Sequence, residues 1–435
     1  MRPASPRERR LNRVQNLAIV LLALSAMLLF ANLPMFGALS DQSLLELARD
    51  RIRRETMPAE TETSDAASLA FPVRMVYTNG FARLGADAIT TLSDEFEHAG
   101  TYLGEALGSA YGVEAISEGD FLDALRDEGL YFDFTTALPA DILSGILGVS
   151  LPETELVSVR RMLLSPAGEE GAPLYVQDGT GQHYRFSTAV SSSALVDFLA
   201  ARSGSSADFA FLLGAAYEQL SPYTIILSDF APRGILSASN ALAGNEDTFL
   251  RRAEFNAHTE NRFTESSGTV IVREVSSTLY LRPDGTVDYQ GSGASPDSIY
   301  FVPAAEPDSP TLAEAAAAAQ NLASTLLQDI LGDAALYLSG TSAEGERREI
   351  SFDLMANGTP IRFSDGSHAV SITIEGQCVT AFTLEARGYT LTEDTALLLP
   401  FALSAAIARV WDGAELIVAY VDTGAETVVP TWIAE

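Results

Sequence analysis

The chain has 435 residues, with 58 Asp and Glu against 27 basic residues and a net charge of −31, a balance that argues against nucleic acid as a partner because so negative a surface repels phosphate. All the basic residues are arginine, which removes the P-loop lysine, Schiff-base catalysis and the Ser-x-x-Lys nucleophile pair. The single cysteine, Cys378, cannot close an internal disulfide, so the fold must rest on a core that 47% hydrophobic content can supply.

Residues 1–16 form a basic tail, with Arg2, Arg7, Arg9, Arg10 and Arg13 against Glu8. Leu17–Leu39 then runs 23 residues without a formal charge, long enough as a helix to cross a hydrocarbon core. The basic flank predicts a cytoplasmic amino end, although Arg49, Arg51, Arg53 and Arg54 on the other side count against it. Ala38-Leu39-Ser40 is a fair cleavage site, but the apolar core is longer than a signal peptide requires, which favours a retained anchor. Ala18, Ser25 and Asn32 recur every seven residues, with Ala26 beside Ser25, so one stripe of this helix is small or polar and can admit a second transmembrane helix. The competing reading is that Ala and Ser are common in any membrane helix. Residues 40–70 read as a short amphipathic juxtamembrane helix with Leu44, Leu45, Ala48 and Ile52 at helical spacing, followed by a Thr/Glu/Ala/Ser-rich tether.

Everything beyond carries 22 Arg against 57 acids, counted from Ser40, and is expected outside the cell membrane. A first α+β domain is expected over 71–205. It opens with a buried strand in "FPVRMVYTNG" and continues with forty residues of helical pattern on Leu92, Phe96, Leu103 and Leu107. A helix in "SEGDFLDALRDEG", a strand in "LYFDF", a helix begun by Pro139 and antiparallel strands from Glu155 to Ser187 complete it. Gly104, Gly108 and Gly112, four apart, predict close helix packing. A middle domain over 206–305 has a helix through "FAFLLGAAYEQL", an irregular stretch from Pro222 to Asn245, and a meander turning at Pro283-Asp284-Gly285. A third domain, 306–435, begins with a helix capped by Thr311 and Glu314, striped by Leu322, Leu326 and Ile330 and stopped by Gly332. Antiparallel strands follow, then a helix in "EDTALLLPFALSAAIARV" bent at Pro400, and a last strand, "ELIVAYVDT", apolar on both faces and therefore interior to its sheet. The fold class is α+β, helices packed on antiparallel sheets.

No spacing among these residues marks a catalytic or metal site. His98, His183, His258 and His368 are scattered and read as surface or turn residues; Asp120, Asp123 and Asp127 read as the solvated flank of a helix; Asp284 and Asp288 read as a hairpin rather than a calcium loop. Cys378 shares strand parity with Phe382 and Leu384 and is expected to be buried and inert. With 58 acids, paired carboxylates are certain by chance, and none is singled out. The expectation is a protein with no catalytic residue and no cofactor.

The phrases "VRMVYTNGFARLG", "LGEALGSA", "LYFDF", "YEQLSPYTIIL", "NGTPIRFSDGSHAVSITI", "LLLPFALSAAIA" and "ELIVAYVDTGAETVVPTWI" resemble the YycH family, the YycH/YycI-type accessory proteins of an essential Gram-positive cell-wall two-component system. The resemblance covers most of the folded chain, and its C-terminal part also looks like PepSY/cystatin-type helix-on-sheet modules. It implies an extracytoplasmic regulator that contacts a membrane sensor histidine kinase, with a paralogous accessory protein as a further partner, and biases the kinase without chemistry of its own; the stripe of Ala18, Ser25, Ala26 and Asn32, read from its spacing, is the expected partner face in the membrane. The rival reading is an anchored envelope protein that binds or hydrolyses cell-wall fragments, with the anchor as a mere tether.

Overall fold

Met75 and Tyr77 point to one side of the strand Pro72–Thr78 and Arg74 and Val76 to the other, and all four are buried, so the first sheet is covered on both faces. This computed structural model describes residues 72–80, 82–87, 94–151, 156–168, 170–227, 232–291, 293, 298–304 and 310–435. The tail, the apolar run and the juxtamembrane segment, including Ala18, Ser25, Ala26 and Asn32, lie outside the described residues. Among those described, no helix is long and apolar enough to cross a membrane.

The described chain contains helices α1 (Asp94–Gly108), α2 (Glu118–Ala124), α3 (Ala140–Leu147), α4 (Ser192–Ala200), α5 (Glu246–Arg252), α6 (Leu312–Leu326) and α7 (Phe401–Ala408). Nine strands form the first sheet, in the order Tyr111–Ile116, His183–Ser187, Leu174–Gln177, Ser158–Leu164, Gly129–Pro139, Pro72–Thr78, Arg83–Asp87, Ser205–Phe209, Ile225–Leu227. One face packs Met75, Tyr77, Phe132 and Met162 against Leu103 and Leu107 of α1, Leu143 of α3 and Leu195 of α4. Val76, Tyr131 and Leu163 on the other face meet Phe121 of α2, Phe209 and Tyr223. At Gly104 and Gly108 an added Cβ would already touch Val149, at 3.5 and 3.6 Å, so the expected close approach occurs there, between α1 and the chain leaving α3, whereas Gly112 lies beyond the helix in the strand Tyr111–Ile116.

An eleven-stranded sheet carries the second half. Its main path runs Arg262–Thr264, Val270–Arg273, Ser277–Leu281, Thr286–Gly291, Cys378–Glu385, Val370–Glu375, Arg347–Ala356, Thr359–Phe363, Leu416–Asp422, Pro430–Ala434, and Ala334–Glu344 pairs with Arg347–Ala356. Leu416–Asp422 lies inside, parallel to Thr359–Phe363 and antiparallel to Pro430–Ala434, as its two apolar faces predict. A three-stranded sheet joins Arg387–Ala396, Arg233–Asn240 and Thr427–Val428.

Local signals held where they were self-contained. The capping box expected of Thr311 with Glu314 is formed, α3 follows Pro139 and Cys378 is buried; a second box, Ser117 with Asp120, starts α2. The departures have tertiary causes. The forty helical residues after the first strand contain the strands Arg83–Asp87 and Tyr111–Ile116, because edges of the first sheet are available to pair them. "FAFLLGAAYEQL" ends as a 3-10 turn at Ala210–Leu212 followed by Gly214 at φ +80, a conformation that stops helix propagation. The irregular stretch after Pro222 includes the strands Ile225–Leu227 and Arg233–Asn240. α6 closes at Leu326, which is buried together with Ala315, Ala316, Ala319 and Ala323, while Leu322 and, past the helix end, Ile330 are partly buried against the same core. Gly332 serves elsewhere: at φ +66 it lies against the Tyr389 carbonyl, where a Cβ would collide.

Candidate interaction surface

The helix expected to begin after Thr392 begins instead at Phe401, because residues up to Ala396 are drawn into pairing with Arg233–Asn240. Pro400 at φ −53 stands at its N-cap, a position that tolerates a missing N–H. From Ala396 to Ala408 the sequence has no charge. α7 cannot bury all of that apolar surface, and it buries the small part: Ser404, Ala405 and Ala408 face Ala210, Leu220 and Leu416. Leu403 and Ile407, one turn apart, are half exposed, and Val410 and Trp411 continue the same face at 81% and 56% exposure. The connection ahead of the helix adds Leu399 and Leu397, the latter 90% exposed. Large residues outside and small ones inside invert the usual amphipathic helix, and an apolar face of this kind marks an interaction site rather than a core element.

The helix is nevertheless held firmly from beneath. Phe401 packs edge-on against Trp432 with ring centres 5.4 Å apart, the Trp432 indole N–H donates to the Leu399 carbonyl at 2.8 Å, and Arg409 donates to the Ala216 carbonyl at 2.8 Å. The chain then passes through Gly413 and Ala414, bonded to Gln219 and Ser221, into Glu415, which is buried.

Glu415 enters a polar row laid across the first sheet. Arg74, Asp133, Arg161, Gln177 and His183 are successive cross-strand neighbours in five adjacent strands, all on the face opposite Met75 and Phe132. Asp133 pairs with Arg74 and, at 2.7 Å, with Arg160, while Glu415 pairs with Arg74 and Arg161. Burial alone would raise the Asp133 carboxyl, but Arg74, Arg160 and Arg161 outweigh it and hold it down at about 2. Arg161 also donates to Gln177 Oε1 at 2.6 Å. That fixes the amide so that its NH2 faces His183 Nε2 at 3.2 Å. Burial lowers the His183 pKa in agreement with a neutral ring. Tyr223 closes the row, its hydroxyl 2.9 Å from His183 and 3.2 Å from Glu118 and its ring under Arg161; burial pushes its hydroxyl well above the ordinary value, so it stays protonated. Three guanidinium groups thus surround the Asp133 and Glu415 carboxylates, and through Glu415 the row clamps the base of α7 to the first sheet.

His183 therefore departs from the surface position expected of it. His258 is exposed in a turn and His368 is exposed with Nδ1 at 3.0 Å from Asp353. Asp284 sits in the expected hairpin turn, and Asp288 pairs with Arg282. No group of three or more His, Cys, Asp or Glu arranged to hold a metal occurs among the described residues. The α7 face was missed in the sequence, although its uncharged length without a polar stripe was the available signal. The row showed itself only as single charges inside apolar strands, such as the aspartate of "LYFDF".

No family model matches the chain and no curated protein matches it. Its fold is similar to the crystal structure of YycH from Bacillus subtilis, with a TM-score of 0.55 and 11% identity over 86% of this chain and 95% of that one. The architecture is thus a YycH-type fold.

Proposed function

We propose, from this YycH-type fold spanning most of the chain, that the protein is a membrane-anchored extracytoplasmic regulator that binds a sensor histidine kinase and biases its activity without chemistry of its own. Residues 17–39 are the anchor, with residues 1–16 in the cytoplasm and the acidic α+β body outside. The helix-on-sheet part beyond residue 306 is of PepSY/cystatin type in this reading. The stripe of Ala18, Ser25, Ala26 and Asn32 packs on transmembrane helices of the kinase, or of a paralogous accessory protein beside it. A regulator of this kind acts by stabilising one of two kinase states, which takes a coupling free energy of about 1–3 kcal/mol.

What supports the reading is the fold likeness, joined to an uncharged run of anchor length at the amino end. Replacing Ser25→Leu together with Asn32→Leu fills the stripe without shortening the anchor. The expected outcome is loss of co-purification with the kinase from detergent-solubilised membranes and a change in kinase autophosphorylation. Unchanged capture and autophosphorylation would remove the anchor from the mechanism.

A further inference from the structure

We infer that the exposed face of α7 and the turn before it, Leu397, Leu399, Leu403, Ile407, Val410 and Trp411, seats on the surface of the lipid bilayer that holds the chain. The inference rests on the anchor reading above and adds a second, reversible membrane contact to it.

Three observations select lipid as the occupant. The first is the placement of the patch. The described domain starts at Pro72, and two residues on, Arg74 is ion-paired to Glu415, four residues beyond Trp411. The point where the tether joins the domain and the foot of the apolar helix are thus fastened to each other. The second is the length of chain in between. Residues 40–71 separate the apolar run from that strand, and a segment of this length reaches at most about 110 Å in any conformation, so the domain is confined to the water next to the bilayer. Confinement matters because it raises the local concentration enough for a weak contact to form. The third is the chemistry of the patch. It is aliphatic and tipped by an indole, side chains that partition into the headgroup and acyl boundary. Its rim carries exposed Glu393, Asp394 and Asp412 against Arg409, so attraction comes from apolar burial and not from charge. Anionic headgroups therefore oppose it.

Trp411 is itself the probe. The chain has two tryptophans, and Trp432 lies against Phe401 behind the helix, so comparison with Trp411→Phe isolates the Trp411 signal. The full chain is reconstituted into phosphatidylcholine vesicles with and without acyl-chain bromination. The expected result is quenching of the Trp411 component by the brominated lipid. Leu403→Asp with Ile407→Asp should abolish it while leaving the far-UV circular dichroism unchanged, since both positions are exposed, and phosphatidylglycerol in the vesicles should weaken it. A chain that floats with the vesicles but whose Trp411 is not quenched overturns this inference alone, and an emission shift that follows protein concentration at fixed lipid assigns the face to a second copy or another protein and overturns it equally. A chain that does not float with the vesicles overturns the anchor reading and this inference together.

Discussion

Asp133 is fully buried in the middle of a strand, among three arginines that offset its desolvation. Removing one member of such a cluster leaves the others charged and unpaired, which costs about 3–5 kcal/mol; Asp133→Asn should therefore lower the urea-unfolding free energy at pH 7 by that order, and a loss below about 1 kcal/mol would contradict the arrangement. The folded carboxyl titrates near 2 and the unfolded one near 4. Its contribution is accordingly present above pH 4 and is lost as the pH falls from about 4 towards 2. Stability measured across that window should fall more steeply in the native protein than in the asparagine variant. The sequence showed that a charge stood there but not what met it: Arg161 and Glu415 are separated by 254 positions, and only the sheet registers bring them together. The same holds for His183, whose buried place follows from its being opposite Gln177.

α1 tests how far local spacing can be trusted. Gly104 is buried in the helix, and a Cβ there would sit at ordinary van der Waals distance from Val149. Gly104→Ala should leave the fold intact and raise stability by up to about 1 kcal/mol through helix propensity, whereas Gly104→Leu should destabilise by about 1–3 kcal/mol because the added atoms have no space. Thermal unfolding of the two variants checks both signs; a destabilising alanine would mean the helices are closer than described. Elements whose signals lie within a few residues were readable, as with α2 and α6 and their reciprocal caps. Elements decided by a distant partner were not. The residues before Pro400 have a helical composition yet pair as a strand with Arg233–Asn240, and the short strands Arg83–Asp87 and Ile225–Leu227 exist as neighbours of other strands.

Across the whole molecule, the α+β class, the interior place of Leu416–Asp422 and the YycH-type fold were legible, whereas the two strands after it, Thr427–Val428 and Pro430–Ala434, and the sharing of strands between distant segments were not, because pairing partners leave no trace in a single sequence. Thr286–Gly291 pairs with Cys378–Glu385, and at that seam Glu385 lies opposite Thr286, whose hydroxyl donates to its carboxylate at 3.2 Å. Burial lifts the Glu385 pKa to about 7 against the pull of Thr286, with Asp284 and Asp365 adding to the rise. A raised carboxyl stabilises the fold fully below its unfolded value of about 4.5, and this stability is lost as the pH rises through about 7. Glu385→Gln should thus gain about 1–2 kcal/mol relative to the native protein at pH 8 but not at pH 5, the figure being reduced for solvent screening. Equal differences at both pH values would show that the carboxylate is solvated.

The position of Glu415 has a further consequence for how this molecule comes into being. The acid that neutralises Arg74 and Arg161, and the Leu416–Asp422 strand that completes the interior of the long sheet, lie 254 or more positions after those arginines in the chain. A nascent polypeptide from which they have not yet emerged carries an open sheet and guanidinium groups that lack this partner, so the native arrangement closes only after the strand Leu416–Asp422 has left the ribosome.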